Sequence, residues 1–157
     1  MGECMTIDEL RKATPLTIFL IEDDDGDAKA VKRAFSKEQI SNPIIRAKDG
    51  VEALNMLRDE SSEGIMKSNI PFVMLIDLNM PRMGGHELIT EIRKDSRLKH
   101  IIAFVLTTSK SEEDKMKSYA LNVAGYILKE RAGRDFLKLT RLFDAYVKLV
   151  ELPNTSL

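Results

Sequence analysis

Three stretches of this chain, residues 16–21, 72–76 and 101–106, are almost unbroken runs of β-branched and other apolar side chains. An apolar run without polar alternation reads as a strand covered on both faces. None approaches the ~20 residues that a membrane helix needs. Two shorter runs, 43–47 and 126–128, bring the set to five. Amphipathic segments lie between them. Ala28, Val31 and Phe35 share one helical face in the first, and Val51, Leu54 and Leu57 in the second. Leu88, Ile89 and Ile92 do so in the third, and Met116, Tyr119, Ala120 and Val123 in the fourth. A last helix is expected from about Arg134 to Val150. Strand alternating with helix five times predicts one α/β domain, a doubly wound parallel sheet with helices on both faces. Residues 60–69, polar and carrying Gly64, read as an extended loop.

Composition narrows the function. The chain has 157 residues, 24 Lys+Arg and 25 Asp+Glu, for a net charge of −1. That balance lacks the basic excess of a general nucleic-acid binder. One cysteine, Cys4, excludes an internal disulfide or a cysteine-rich metal site, and a reducing cytoplasm is the expected compartment. The polar, acidic amino-terminal stretch has no apolar core of a signal peptide. Met1-Gly2 followed by Thr6 meets a myristoylation pattern that is common by chance.

In doubly wound sheets, ligands bind outside the carboxyl ends of the strands. After strand one stand Glu22-Asp23-Asp24-Asp25-Gly26-Asp27. Asp24 or Asp25 suits a helix cap, and Asp27 suits the positive end of a helix. Five acids in six positions exceed what capping requires, because such crowding is repulsive without a cation. Glu22 and Asp23 are therefore expected to hold a metal. An oxygen-only ligand set favours Mg²⁺ over a transition metal. His86 and His100 read as solvated or capping residues. Asp77 ends an otherwise apolar strand, where an unpaired charge is expensive. With strand one beside strand three, Asp77 would share the cation. Lys129, after strand five, supplies the balancing positive charge, and Thr107, after strand four, a neutral donor.

The stretch from Leu16 to Val150 resembles the receiver domain of two-component response regulators. The resemblance is carried by Glu22-Asp23, by Asp77-Leu78-Asn79-Met80-Pro81, by Leu106-Thr107-Thr108-Ser109 and by Gly125-Tyr126-Ile127-Leu128-Lys129. The spacings agree too: 54 residues from Asp23 to Asp77, 30 on to Thr107 and 22 on to Lys129. It implies a flavodoxin-like sheet of order 2-1-3-4-5, spanning residues 15–150 between an extension, 1–14, and a tail, 151–157. Asp77 would accept a phosphoryl group from a sensor histidine kinase. Mg²⁺ would be held by Asp23, Asp77 and the backbone carbonyl of Asn79, with Glu22 acting through water. Lys129 and Thr107 would bind phosphoryl oxygens, and Tyr126 would then rotate inward as a switch. Two departures stand out: Lys129 is followed by Glu130 where the family has proline, and Met83-Gly84-Gly85 replaces Met-Asp-Gly. A cis Lys-Glu bond would cost about 2.5–4 kcal/mol, and the sequence leaves open whether this bond is cis or trans with the loop differently aimed.

The wording Leu106-Thr107-Thr108-Ser109 and the loop before strand three are similar to single-domain regulators encoded with bacterial phytochromes, which would make a phytochrome the kinase. With only residues 151–157 after the last helix, the expected output is contact with an unidentified protein rather than DNA binding or a membrane. The apolar residues Leu139, Leu142, Phe143, Ala145, Tyr146, Val147, Leu149 and Val150 fan wider than one sheet-facing stripe. A homodimer through this helix is expected, with Leu152-Pro153 adding to it. Three rivals remain open. A Mg²⁺-dependent phosphohydrolase would want a second acid where Asn79 stands. A phosphate-independent interaction module would be marked by loss of Asp77 or Lys129. A nucleotide-binding flavodoxin-like protein would want a Gly-rich loop after strand one.

Overall fold

The alternation of strand and helix leaves few topologies, because parallel strands need crossover helices and those crossovers have one hand. The structure is a computed structural model, and it describes residues 16–38, 43–61, 64–67 and 71–153. Cys4, the Met1-Gly2 pattern, the extension 1–14, residues 154–157 of the tail and part of the loop before strand three lie outside the described residues.

Five strands, β1 (Thr17–Ile21), β2 (Ile44–Ala47), β3 (Phe72–Ile76), β4 (Ala103–Thr107) and β5 (Gly125–Leu128), form one parallel sheet in the order β2-β1-β3-β4-β5. Every residue of β1, β3 and β4 is buried, and these are the three uninterrupted apolar runs. Edge strands β2 and β5 are half-buried. Five helices connect and flank them: α1 (Asp25–Lys37), α2 (Gly50–Arg58), α3 (Gly85–Lys94), α4 (Glu112–Ala120) and α5 (Leu137–Leu149).

Alternate strand residues point to opposite faces, so one sheet makes two cores. On one face Phe19, Ile21, Met74, Ile76 and Val105 pack against Leu54, Leu57, Leu88, Ile89 and Ile92 of α2 and α3. On the other, Ile18, Leu20, Val73, Leu75 and Phe104 pack against Val31 and Phe35 of α1 and Leu139 and Phe143 of α5. The helices start where capping chemistry allows. Asp24 accepts from the Asp27 amide at 2.7 Å, Asp49 from Glu52 at 2.9 Å and Ser111 from Asp114 at 3.2 Å. Among the described residues no helix is long and apolar enough to cross a membrane.

Four expectations need correction. Helix α4 ends at Ala120, before Val123, and its Met116 and Tyr119 are 67% and 49% exposed. Its contact with the body runs through buried Ser118, whose hydroxyl donates to the Asp114 carbonyl and meets His86 Nε2 at 2.8 Å. A hydrogen bond replaces the apolar stripe, and His86 is therefore half-buried and bonded rather than solvated or capping. The last helix starts at Leu137, not Arg134, because Gly133, Asp135 and Phe136 have φ of 89°, 53° and 61°. That left-handed turn folds the Phe136 ring into the second core. The loop 60–69 contains a short 3-10 turn, Ile65–Lys67, with Ile65 buried against the first core. Lys129, directly after β5, opens a second 3-10 turn, Lys129–Arg131.

Candidate functional site

The β1–β3 pairing brings Ile21 level with Ile76, and the ladder runs one residue further, with the Asp77 amide donating to the Ile21 carbonyl at 3.0 Å. Glu22 and Asp77 thus leave adjacent strand ends together. The Glu22 side chain is 2% exposed and that of Asp77 9%, while Asp23 is exposed. One carboxylate oxygen from each of Glu22, Asp23 and Asp77 lies within 4.8 Å of the others. Three hard oxygen donors at such separations suit a small divalent cation, which would offset their repulsion. The three residues expected to share a cation are thus brought together.

Lys129 closes the site from the β5 side. Its Nζ donates to Glu22 Oε2 at 2.9 Å and Asp27 Oδ2 at 2.7 Å, and stands 3.9 Å from Asp77 Oδ2. The described residues contain no cis peptide bond, so Lys129-Glu130 is trans. Burial is the main influence on both buried acids. It pushes the Glu22 carboxyl up to about 7, opposed by the Lys129 hydrogen bond and reinforced by the Asp77 charge. It also raises Asp77, against the attraction of Lys129. Burial alone would lower Lys129, but the hydrogen bonds to Asp27 and Glu22 overcome it and hold the ammonium charged beyond the ordinary range.

These shifts have a sign. Glu22 binds its proton more tightly folded than unfolded, so between pH 4.5 and about 7 the folded state carries the extra proton. Stability from this group therefore falls as pH rises through that window and is flat above it. In chelator, urea midpoints are expected to drop from pH 5 to pH 8. Glu22→Gln, which cannot ionise, is expected to flatten the profile. An unchanged slope in that variant would contradict the assignment.

Two arginines fix the loops that carry the acids. Arg46, paired in register with Leu20 on β1, donates twice to the Glu22 carbonyl, at 3.0 and 2.8 Å, and at 3.3 Å to that of Asp23. It also pairs with Asp25 at 2.8 Å. Arg82, at φ 64°, makes a two-pronged contact with Asp49 at 2.7 and 3.0 Å, tying the loop that carries Asn79 to the start of α2. Gly85 sits so close that a Cβ there would stand 2.5 Å from the Asp77 carbonyl oxygen. No larger residue lets α3 begin this near Asp77.

At the neighbouring strand end, buried Thr107 accepts from the Ser109 amide at 3.1 Å. Ser109 donates its hydroxyl to Asp114 Oδ2 at 2.5 Å. Tyr126, half-buried, donates its hydroxyl to the Ser109 carbonyl at 2.8 Å, so Thr107, the β4–α4 loop and Tyr126 form one connected group. Asn79 is exposed in the β3–α3 loop. Sequence reasoning missed Arg46 and the second partner of Lys129, Asp27. A lone arginine inside an apolar run is a usable signal for the first; for Asp27 the helix-end reading masked the contact.

The family model described as response regulator receiver domain matches residues 18–141. Response regulator Rcp1 of Synechocystis sp. is 33% identical over 140 residues, covering 88% of this chain and 94% of that protein. A structure of the Mn²⁺-bound form of Rcp1 superposes with a TM-score of 0.72, covering 88% and 99% of the two chains. A probable methanogenesis regulatory protein, FilR2 of Methanothrix harundinacea, is 32% identical over 88% of each chain. The phosphorylated cyanobacterial phytochrome response regulator RcpA is 31% identical, with a TM-score of 0.72 and coverage of 88% and 99%. Sheet order, acidic strand ends and family match converge: the chain belongs to the response regulator receiver domains, signalling proteins of two-component systems.

Proposed function

We propose that Asp77 accepts a phosphoryl group from the phosphohistidine of a sensor histidine kinase, in the cytoplasm, in a reaction that requires Mg²⁺. The observation that carries this reading is the buried Asp77 carboxylate, placed among Glu22, Asp23 and Lys129 at the end of β3. Asp77 Oδ attacks phosphorus, a P–O bond forms as the bond to the donor breaks, and the donor leaves with the electron pair. Asp23, Asp77 and the Asn79 carbonyl would hold Mg²⁺, with Glu22 beside it. When bound, it supplies charge neutralisation for the transferring group. Lys129 and the Thr107 hydroxyl, at neighbouring strand ends, would bind phosphoryl oxygens. Movement of Thr107 would pull on Ser109 and, through its carbonyl, on Tyr126, turning local charge into a change of surface. The resemblance to RcpA supports a phytochrome as the kinase.

The test is incubation with Mg²⁺ and acetyl phosphate followed by intact mass measurement. An adduct of about 80 Da, one phosphoryl group, is expected with Mg²⁺ and absent in chelator. No adduct in either arm would remove the reading. A phosphohydrolase, by contrast, would turn over acetyl phosphate without retaining the adduct.

Output is proposed to run through protein contact, including a homodimer. Leu142, Ala145 and Leu149 recur at helical spacing on the outer side of α5, with Leu142 41%, Leu149 84% and Val150 40% exposed. Sedimentation is expected to give a dimer at micromolar concentration, reduced by Leu149→Glu. A monomer with and without phosphoryl donor would refute it.

A further inference from the structure

We propose that Asp27 is a positioning residue for phosphoryl transfer, holding the Lys129 ammonium where an incoming phosphoryl oxygen meets it; this rests on the reading of Asp77 as acceptor. An ammonium has three N–H donors on a flexible four-carbon stem, so its aim must come from its partners. Here two donors are committed, to Glu22 Oε2 at 2.9 Å and to Asp27 Oδ2 at 2.7 Å. Asp77 Oδ2, at 3.9 Å, is too far for a hydrogen bond. The third donor is left for a ligand between Nζ and the Asp77 carboxylate. A phosphoryl group carried on Asp77 extends its terminal oxygens outward into that gap.

Asp27 sits in the first turn of α1, whose start is fixed by the Asp24 cap on the Asp27 amide at 2.7 Å. Its side chain is 39% exposed, against 11% for Lys129, so it pulls the ammonium outward from the buried acids. Without that pull, Lys129 has only Glu22 and Asp77 as carboxylate partners, and the pair it then makes with Asp77 fills the phosphoryl position and ties up the nucleophile.

Asp27→Asn and Asp27→Ala remove the same charge, but only asparagine keeps an oxygen acceptor. With Mg²⁺ and acetyl phosphate, the initial rate of adduct formation in Asp27→Ala is expected to fall about tenfold, as displacement of a positioned group does. Asp27→Asn is expected between that and the unaltered protein. Both changes are repeated with Lys129→Gln, where neither should slow the reaction further, because Asp27 acts through Lys129. Equal or faster uptake by Asp27→Ala overturns the proposal, since long-range repulsion of the anionic donor would then be the only effect of Asp27. The same slowing with Lys129→Gln overturns it too. An unaltered protein that takes up no phosphoryl group defeats the Asp77 reading itself, and the two failures are told apart by that arm.

Discussion

Exchanging Asp77 for asparagine is expected to abolish phosphoryl uptake and, at the same time, to make the protein more stable. The first effect follows from chemistry: an amide oxygen is a poor nucleophile, and no other described carboxylate ends a buried strand beside β1. The second follows from electrostatics. Asp77 is buried beside Glu22 and Asp23, and Lys129, 3.9 Å away, spends its hydrogen bonds on Glu22 and Asp27. Burial is the largest influence on its carboxyl and raises it, so folding works against the ionised form. Removing that charge while keeping the shape is expected to gain about 1 kcal/mol at neutral pH, as sites built for function yield when neutralised. The gain should vanish on acidification, where Asp77 is protonated in both states. Urea denaturation in chelator measures it, and intact mass after acetyl phosphate measures uptake. A variant that still gains about 80 Da would move the acceptor elsewhere. One clearly less stable than the parent would show that the attraction of Lys129 outweighs the cost of burying the Asp77 charge.

Phe143→Ala is expected to destabilise the domain by about 3–5 kcal/mol, a large fraction of what holds a fold of this size together. Phe143 is fully buried in α5 and edge-on to Phe104 of β4, with ring centroids 5.1 Å apart. It also lies 6.5 Å from both Phe35 of α1 and Tyr146. Truncation leaves a cavity where α1, α5 and the sheet meet, and each of these is already committed by strand pairing or its own packing. Chemical denaturation checks the size of the effect, and Met116→Ala, on the exposed face of α4, provides the control. Its loss is expected to be at most about 0.5 kcal/mol. Comparable losses for both would mean that burial of the Phe143 ring is not what sets the effect.

Legibility differed between elements for physical reasons. The buried faces of α1 and α3 were read correctly because Val31 and Phe35, or Leu88, Ile89 and Ile92, lie at the spacing of a helix that packs by burial alone. Helix α4 was misread because its docking depends on one hydroxyl, Ser118, and a histidine 32 residues away, a contact that leaves no periodic trace. The same holds for the left-handed turn before α5: Asp135 and Phe136 take positive φ as the Phe136 ring enters the second core.

At the site, the sequence alone determined the sheet and the residue types at its edge. Apolar runs this short, alternating with amphipathic helical segments, read as fully covered strands, and an acid closing such a run must be compensated. It thereby determined that Glu22, Asp23, Asp77 and Lys129 converge. Only the tertiary structure decided how the charges are shared. Lys129 binds Glu22 and Asp27 and stands off Asp77, Arg46 grips the carbonyls of the acidic loop, and Ser109 links Thr107 to Tyr126. Strand and helix are set by local pattern, which the chain carries residue by residue. The partner of a long charged side chain is set by a competition over a few ångströms among groups up to 107 residues apart, and only the folded geometry resolves it.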